Sequence, residues 1–222
     1  MTYKGYTLRQ LNELTSLDSV IFDLDGTLWD ASLSATRSWN KALETIGYIN
    51  NVITQEDLKA VTGIKIEEIL KSNYGFMTDN EKIKFLEVFE QIEADEMKSN
   101  GGVLYNNVEN VLKVLKKRKK LFIVSNCLKG YIENFLEFTK LTKYFDGYES
   151  TGNTGKSKDS NIKKIIENYK LEQPVYIGDT EHDYEASENN SIPFIYAEYG
   201  FGKAAKATFS IREFTDLLKL NN

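Results

Sequence analysis

The sequence predicts an α/β fold, in which a parallel sheet carries helices on both faces and an all-helical domain is inserted after the first strand. Short apolar runs recur along the chain, amphipathic helical patterns lie between the later runs, and the stretch 31–105 has helical patterns without a convincing strand. At 222 residues the chain is long enough for this arrangement. We expect a core of residues 1–30 and 106–222 and a helical domain of residues 31–105.

The strands are predicted from runs of β-branched and aromatic residues. Val20–Phe22 is continuously apolar rather than alternating, which is typical of a strand that is covered on both faces of a parallel sheet. Parallel strands place their carboxyl ends along one edge, where ligands bind in open α/β sheets. The predicted strands are Val20–Phe22, Leu121–Val124, Tyr148–Ser150, Val175–Ile177 and Phe194–Tyr196.

The helices are predicted from apolar residues spaced i, i+3, i+4 and i+7, which gives each helix one buried face. In the core these stripes are Val108, Val111, Leu112 and Leu115; Ile162, Ile165, Ile166 and Tyr169; and Ile211, Phe214, Leu217 and Leu218. In the insert they are Leu33, Trp39, Leu43 and Ile46; Leu58, Ile66, Ile69 and Leu70, broken at Thr62-Gly63; and Ile83, Leu86, Phe89, Ile92 and Met97.

Composition narrows the range of partners and compartments. The net charge of −5 argues against nucleic acid as the main partner, and we interpret the basic run Lys116–Lys120 as a solvated helix end. Met1–Leu17 is polar and helix-like, without the apolar centre of a signal peptide, and no run approaches the length of a membrane span. The single cysteine, Cys127, fits a reducing compartment. We expect a cytoplasmic protein, monomeric by default, without a membrane or nucleic-acid partner.

Two aspartates follow the first predicted strand. Asp23 and Asp25 stand one residue apart at its end, and Gly26 allows the chain to turn sharply just beyond them. Aspartate and glycine are also common in solvated turns, so this motif alone leaves both interpretations open.

Further polar residues fall at the ends of later strands and so extend the same site. Ser125 ends one strand, Asp179 and Asp183 follow another, and Lys158 precedes a helix. Crowded carboxylates persist when a cation neutralises them or when some stay protonated, and oxygen ligands with few carboxylates favour Mg²⁺. A hydroxyl, a lysine and Mg²⁺ together suit a phosphate group.

These residues resemble the four motifs of the haloacid dehalogenase superfamily of phosphohydrolases. The motifs occur in order along nearly the whole chain, as Asp23-Leu24-Asp25-Gly26-Thr27, Ser125, Lys158, and Gly178-Asp179 with Asp183. The helical insert resembles the cap of the phosphoglycolate phosphatase and β-phosphoglucomutase branch. The resemblance implies a Rossmann-like core beneath a cap domain.

The resemblance also implies the roles of the catalytic and substrate-binding residues. Asp23 would be the nucleophile that forms an aspartyl-phosphate, and Asp25 would be the general acid for the leaving alcohol and then the base for water. Ser125 and the backbone amide of Asn126 would hold phosphate oxygens. Thr27, within the first motif, is a further candidate for substrate binding.

The metal site follows from the same resemblance. Mg²⁺ would be held by the carboxylate of Asp23, the backbone carbonyl of Asp25, and Asp179. Asp183 would bind the metal through water or would position Lys158.

Two stretches leave alternatives open. Lys156 competes with Lys158 for the third motif, because Asp159 stands where many relatives have proline; we prefer Lys158, which is nearer the helix start. Gly155-Lys156-Ser157 imitates the end of a nucleotide-binding P-loop, but Ser150 occupies the position of its first glycine.

In the insert, the turn Thr62–Lys65 is either a plain connection or a segment that dips towards the site with Lys65 as a substrate contact.

Together, the residues and the resemblance predict a Mg²⁺-dependent phosphatase that acts on small-molecule phosphomonoesters. A phosphomutase of the β-phosphoglucomutase type would share every core residue and differ in the cap. A catalytically silent binding protein would have no need of both Asp23 and Asp25. The identity of the phosphate ester is left open.

Overall fold

A computed structural model describes residues 2–3, 6–7 and 16–221. Its central sheet has six parallel strands in the order β10-β9-β8-β3-β6-β7, and two small antiparallel sheets pair β1 with β2 and β4 with β5. The strands are β1 Thr2–Tyr3, β2 Tyr6–Thr7, β3 Ser19–Phe22, β4 Trp29–Asp30, β5 Val103–Leu104, β6 Lys120–Ser125, β7 Gly147–Ser150, β8 Pro174–Gly178, β9 Phe194–Ala197 and β10 Phe209–Ile211.

Four helices separate β4 from β5, and the others connect the strands of the central sheet. The α-helices are α1 Ser32–Thr45, α2 Gln55–Lys59, α3 Ile66–Asn73, α4 Asp79–Ser99, α5 Val108–Leu115, α6 Tyr131–Thr139, α7 Thr151–Thr154, α8 Lys158–Tyr169 and α9 Glu181–Asn189. Two 3₁₀ helices span Thr142–Tyr144 and Phe214–Asn221. No helix among the described residues has both the length and the apolar character required to cross a bilayer.

The position of β3 at the centre of the sheet explains why its sequence is apolar. Val20 and Phe22 belong to a hydrophobic cluster with α5 and α6, whereas Ile21 points to the other face and packs with α8 and α9. Every side chain of the strand is therefore buried, and a continuous apolar run is required. The predicted α/β fold with helices on both faces of a parallel sheet is confirmed.

The helices between β4 and β5 have a hydrophobic cluster of their own. Trp39 is buried at its centre, with its ring centroid 4.9 Å from that of Phe85 and 5.1 Å from that of Phe89. The indole Nε1 donates a hydrogen bond of 2.7 Å to the hydroxyl of Tyr74. The chain enters and leaves this cluster through the β4–β5 ribbon, in which Trp29 pairs with Leu104.

The predicted helical stripes of apolar residues were wrong at several positions. Ile211 is the last residue of β10, an edge strand that the sequence analysis missed, and the helix after it is 3₁₀ rather than α. Leu33 and Ile83 are more than half exposed, so they lie outside the buried faces of α1 and α4.

Two further expectations about polar segments also need correction. The start of the chain was expected to be helical, but Thr2–Tyr3 pairs with Tyr6–Thr7 as a short hairpin, and residues 8–15 lie outside the described residues. Within the basic run, Lys119 is buried and its Nζ donates a 2.6 Å hydrogen bond to the carbonyl of Leu17. The run is therefore only partly a solvated helix end.

Candidate active site

Three neighbouring strands bring the first, second and fourth motifs together. β3 lies between β6 and β8, with Phe22 opposite Ile123 on one side and Ile177 on the other. Asp23 follows the carboxyl end of β3. It therefore lies beside Ser125, which ends β6, and Asp179, which is just beyond β8. The topology makes one site from residues about 100 and 150 positions apart in the sequence.

Lys158 joins Asp23 to Asp183 in a buried charge network. Its Nζ lies 3.0 Å from Asp23 Oδ1 and 2.6 Å from Asp183 Oδ1. Burial alone would lower the pKa of Lys158, but the charges of Asp183 and Asp23 outweigh it and raise that pKa. Lys158 is thus held as a cation against Asp23, whereas its competitor Lys156 is exposed.

The second oxygen of Asp183 holds the loop that follows β8. Oδ2 accepts hydrogen bonds from the backbone N–H of Asp179 at 3.1 Å and from the backbone N–H and hydroxyl of Thr180 at 2.9 and 2.7 Å. Asp183 thereby forms a capping box at the start of α9. Both of its oxygens are engaged, one by Lys158 and one by this loop.

A group of three carboxylates offers a site that fits a divalent cation. Asp23, Asp179 and Asp183 each present an oxygen, and these atoms all lie within 4.8 Å of one another. Burial raises the pKa of Asp179 and of Asp23 because water no longer solvates their charges, and Asp183 adds to the shift. A hard cation with oxygen ligands, such as Mg²⁺, relieves this repulsion and suits the donor set.

The orientation of Asp179 depends on the backbone around it. Its Oδ2 accepts hydrogen bonds from the N–H groups of Phe201 and Gly202 at 2.8 and 3.1 Å. The buried hydroxyl of Thr27 lies 3.4 Å from Oδ1, so this side chain faces Asp179. Gly26 has a φ of +80°, and a Cβ there would lie 2.3 Å from Asp179 Oδ2, so the turn needs glycine for both conformation and space.

Asp25 is held by two aromatic donors that the sequence analysis missed. The indole Nε1 of Trp29 and the hydroxyl of Tyr131 each donate a 2.9 Å hydrogen bond to Oδ1. Burial is the largest cause that raises the pKa of Asp25, to about 7, and the charge of Asp23 adds to it. Oδ2 is the oxygen left to carry a proton.

The turn between α2 and α3 reaches the site. Asn126 donates a 2.9 Å hydrogen bond from Nδ2 to the carbonyl of Gly63, and its Oδ1 accepts one of 2.8 Å from Thr151. A Cβ on Gly63 would lie 3.2 Å from the methyl group of Thr180. Lys65, the next candidate along the turn, lines a polar cavity of about 150 Å³.

A second cavity lies on the other side of this turn, next to Asp25. It measures about 120 Å³ and is lined mainly by apolar and aromatic side chains of the helical insert and the core. Glu93 from α4 also lines it and is buried. The sequence carried a signal for Glu93 that was not used, since it stands four residues after Phe89 and four before Met97, both on the buried face of α4.

Curated relatives cover almost the full length of the chain. A phosphoglycolate phosphatase of Aquifex aeolicus is 27% identical over a 214-residue alignment that covers 90% of this chain and 95% of the relative. Pyrophosphatase PpaX of Bacillus cereus is 24% identical over a 213-residue alignment that covers 92% of this chain and 96% of the relative. The resemblance therefore extends across the sheet, the insert and the motifs.

The fold is shared with solved structures, and the family model spans the site. A haloacid dehalogenase-like hydrolase of Streptococcus pneumoniae superposes with a TM-score of 0.81 at 19% identity, covering 92% of this chain and 98% of that one. The model of the family described as haloacid dehalogenase-like hydrolase matches residues 20–197, which include Asp23, Lys158 and Asp183. The chain belongs to the haloacid dehalogenase-like hydrolase family.

Proposed function

We propose that this protein is a Mg²⁺-dependent phosphatase that hydrolyses small-molecule phosphomonoesters through a phosphorylated Asp23. The observation that carries the proposal is the pair of carboxyl groups at the end of β3, which have different neighbours. Asp23 lies 3.0 Å from the Nζ of Lys158, whereas Asp25 accepts hydrogen bonds from the neutral donors Trp29 and Tyr131, and burial raises the pKa of Asp25 to about 7. The names of the relatives, phosphoglycolate phosphatase and pyrophosphatase, support hydrolytic release of phosphate, from an ester in the first and from an anhydride in the second.

In the first step, a carboxylate oxygen of Asp23 attacks phosphorus, and the bond from phosphorus to the alcohol oxygen breaks. Asp25 gives its proton to that oxygen, so the alcohol leaves uncharged. Attack by a carboxylate on a phosphate dianion is opposed by like charge, at about 4 kcal/mol per unit-charge pair roughly 4 Å apart with an effective dielectric near 20. Lys158 offsets part of this repulsion.

In the second step, water attacks the phosphorus of the phosphorylated Asp23. Asp25, now ionised, takes a proton from the water, and release of phosphate restores both carboxyl groups. Trp29 and Tyr131 keep Asp25 in one orientation through both steps by their hydrogen bonds to Oδ1.

We assign the metal ligands and phosphate ligands to the same cluster. Asp23, Asp179 and the backbone carbonyl of Asp25 would hold Mg²⁺, which when bound supplies positive charge to the phosphate oxygens. Both oxygens of Asp183 are engaged within the protein, and this favours the role of positioning Lys158 over direct coordination. Ser125 and the N–H of Asn126 would bind phosphate oxygens.

We further propose that residues 31–105 act as a cap over this site. The turn at Gly63 contacts the core through Asn126, and the cavity beside Asp25 has walls from both parts of the chain. Closure of such a cap excludes bulk water and limits the substrate to small molecules. Lys65, which lines the polar cavity, would be a substrate contact from the cap.

The test is phosphate release from p-nitrophenyl phosphate, with Mg²⁺ or with EDTA, by the wild-type protein and Asp23→Asn. We expect metal-dependent release that the substitution abolishes, together with a phosphorylated Asp23 in rapidly quenched wild-type protein by mass spectrometry. Lys156→Met is the control, because Lys156 is exposed and it is Lys158 that pairs with Asp23 and Asp183. Wild-type turnover by Asp23→Asn would contradict the proposal.

A further inference from the structure

The cavity beside Asp25 is the space into which the leaving alcohol of a substrate would extend. Its volume of about 120 Å³ is that of roughly four liquid water molecules at about 30 Å³ each, so it suits a short alcohol. Aromatic side chains line it from both parts of the chain: Trp39 and Phe89 from the helical insert, and Tyr131 and Phe201 from the core.

The acidic side chains that line this cavity have no basic neighbour among its described lining residues. Asp25 and Glu93 contribute carboxyl groups, and no lysine, arginine or histidine lines it among the described residues. Lys65 stands between Ile64 and Ile66, which both line this cavity, and itself lines the separate polar cavity. An anionic leaving group here would find no cation among the described lining residues, and its charge would oppose ionisation of both carboxyl groups.

Glu93 is an acidic side chain without a partner among the residues that the structure describes. It is 9% exposed, and its carboxyl group has no hydrogen bond or ion pair with the described residues. Burial raises its pKa to about 8, and the charges of Asp25 and Glu90 add to the shift. Buried carboxyl groups are normally paired, because an unpaired charge away from water is costly. A cationic group of a ligand would favour the ionised form of this carboxyl group and would supply the ion-pair partner that the described residues do not provide.

We propose that the substrate is the phosphomonoester of an amino alcohol, with its ammonium group held between Glu93 and the aromatic walls of this cavity. A cation gains from the faces of aromatic rings, above all tryptophan, and a buried carboxylate gives it a counter-charge. The inference rests on the proposed phosphatase function and adds the substrate class. It also separates this chain from a phosphoglycolate phosphatase, whose substrate has an anionic leaving group.

The test compares esters that differ only in charge. Phosphoethanolamine is matched by propyl phosphate, and phosphocholine by 3,3-dimethylbutyl phosphate, with phosphoglycolate as the anionic ester. We expect kcat/KM at least tenfold higher for the cationic member of one pair than for its neutral match, and lowest for phosphoglycolate. The two pairs distinguish a primary amine from a quaternary ammonium group.

A substitution assigns the preference to Glu93. In Glu93→Gln the ratio of kcat/KM between the cationic and neutral esters should fall towards one, whereas Glu87→Gln, an exposed glutamate on the same helix, should keep the wild-type ratio. If p-nitrophenyl phosphate is hydrolysed but neither cationic ester exceeds its neutral match, the substrate class is wrong and the phosphatase function stands. If no ester is hydrolysed, both proposals are overturned.

Discussion

Replacing Lys158 by methionine removes the cation at the centre of the site while keeping most of the side-chain volume. The side chain is 4% exposed, and its Nζ contacts both Asp23 and Asp183, which are themselves buried. Removing one partner of a buried ion pair leaves uncompensated charge and costs about 3–5 kcal/mol. We expect a loss of unfolding free energy in this range at neutral pH without metal.

The pH dependence of that loss follows from the pKa shifts. The carboxylates raise the pKa of Lys158, so its contribution is fully present below the ordinary lysine pKa of about 10.4 and is lost as pH rises through the higher, folded-state value. In Lys158→Met, burial and mutual repulsion raise the pKa of Asp23 further. Protonation at lower pH removes that unpaired charge, so the difference from wild type should shrink as pH falls.

The assay is urea unfolding in EDTA, followed by circular dichroism at about pH 7.5 and about pH 5.5. Lys156→Met is the control, because it removes a neighbouring lysine that is exposed. The control should unfold like the wild type at both pH values. A loss below about 1 kcal/mol for Lys158→Met at the higher pH, or a loss that grows on acidification, would refute the reasoning.

Two further substitutions test the turn and the acid. Gly26→Ala places a Cβ 2.3 Å from Asp179 Oδ2, so activation by Mg²⁺ should need at least tenfold more metal. Gly47→Ala is the control, because Gly47 also has a positive φ but a Cβ there would have nothing within 4 Å. This control should not alter the Mg²⁺ requirement. For the wild type, kcat/KM should fall above about pH 7 as Asp25 loses its proton. Tyr131→Phe removes a hydrogen bond that lowers this pKa, so the basic limb should move up by about one unit; an unmoved limb contradicts the assignment.

The parts of the fold that the sequence predicted correctly are those whose pattern is local. Val20–Phe22 is continuously apolar because both faces of β3 are covered, and the helices α2 and α3 are separated at the predicted Thr62-Gly63. β10 was missed because it has three residues and lies at the sheet edge, where Ile211 fits a helical spacing as well as a strand. In the structure, parallel pairing with β9 makes this segment a strand.

The candidate site likewise has parts that could be predicted from the sequence and parts that could not. The motif residues follow strands and so could be placed at one sheet edge, where Asp23, Lys158 and Asp183 do meet. The roles of Trp29 and Tyr131 could not be predicted, because they depend on contacts in space. Tyr131 is 106 residues from Asp25, whose carboxylate accepts its hydrogen bond. Sequence spacing gives no information about such a contact.

The β4–β5 ribbon has a consequence for how the chain folds. Asp30 pairs with Val103, so the two ends of the 31–102 segment are neighbours in space, and closing this long loop adds only a slowly growing entropy cost. Loop-closure entropy therefore makes the assembly of the sheet only weakly dependent on the length of the segment between these residues. The ribbon makes this position a point of insertion, because it joins the helical segment to the strands that carry the carboxylates at a single place.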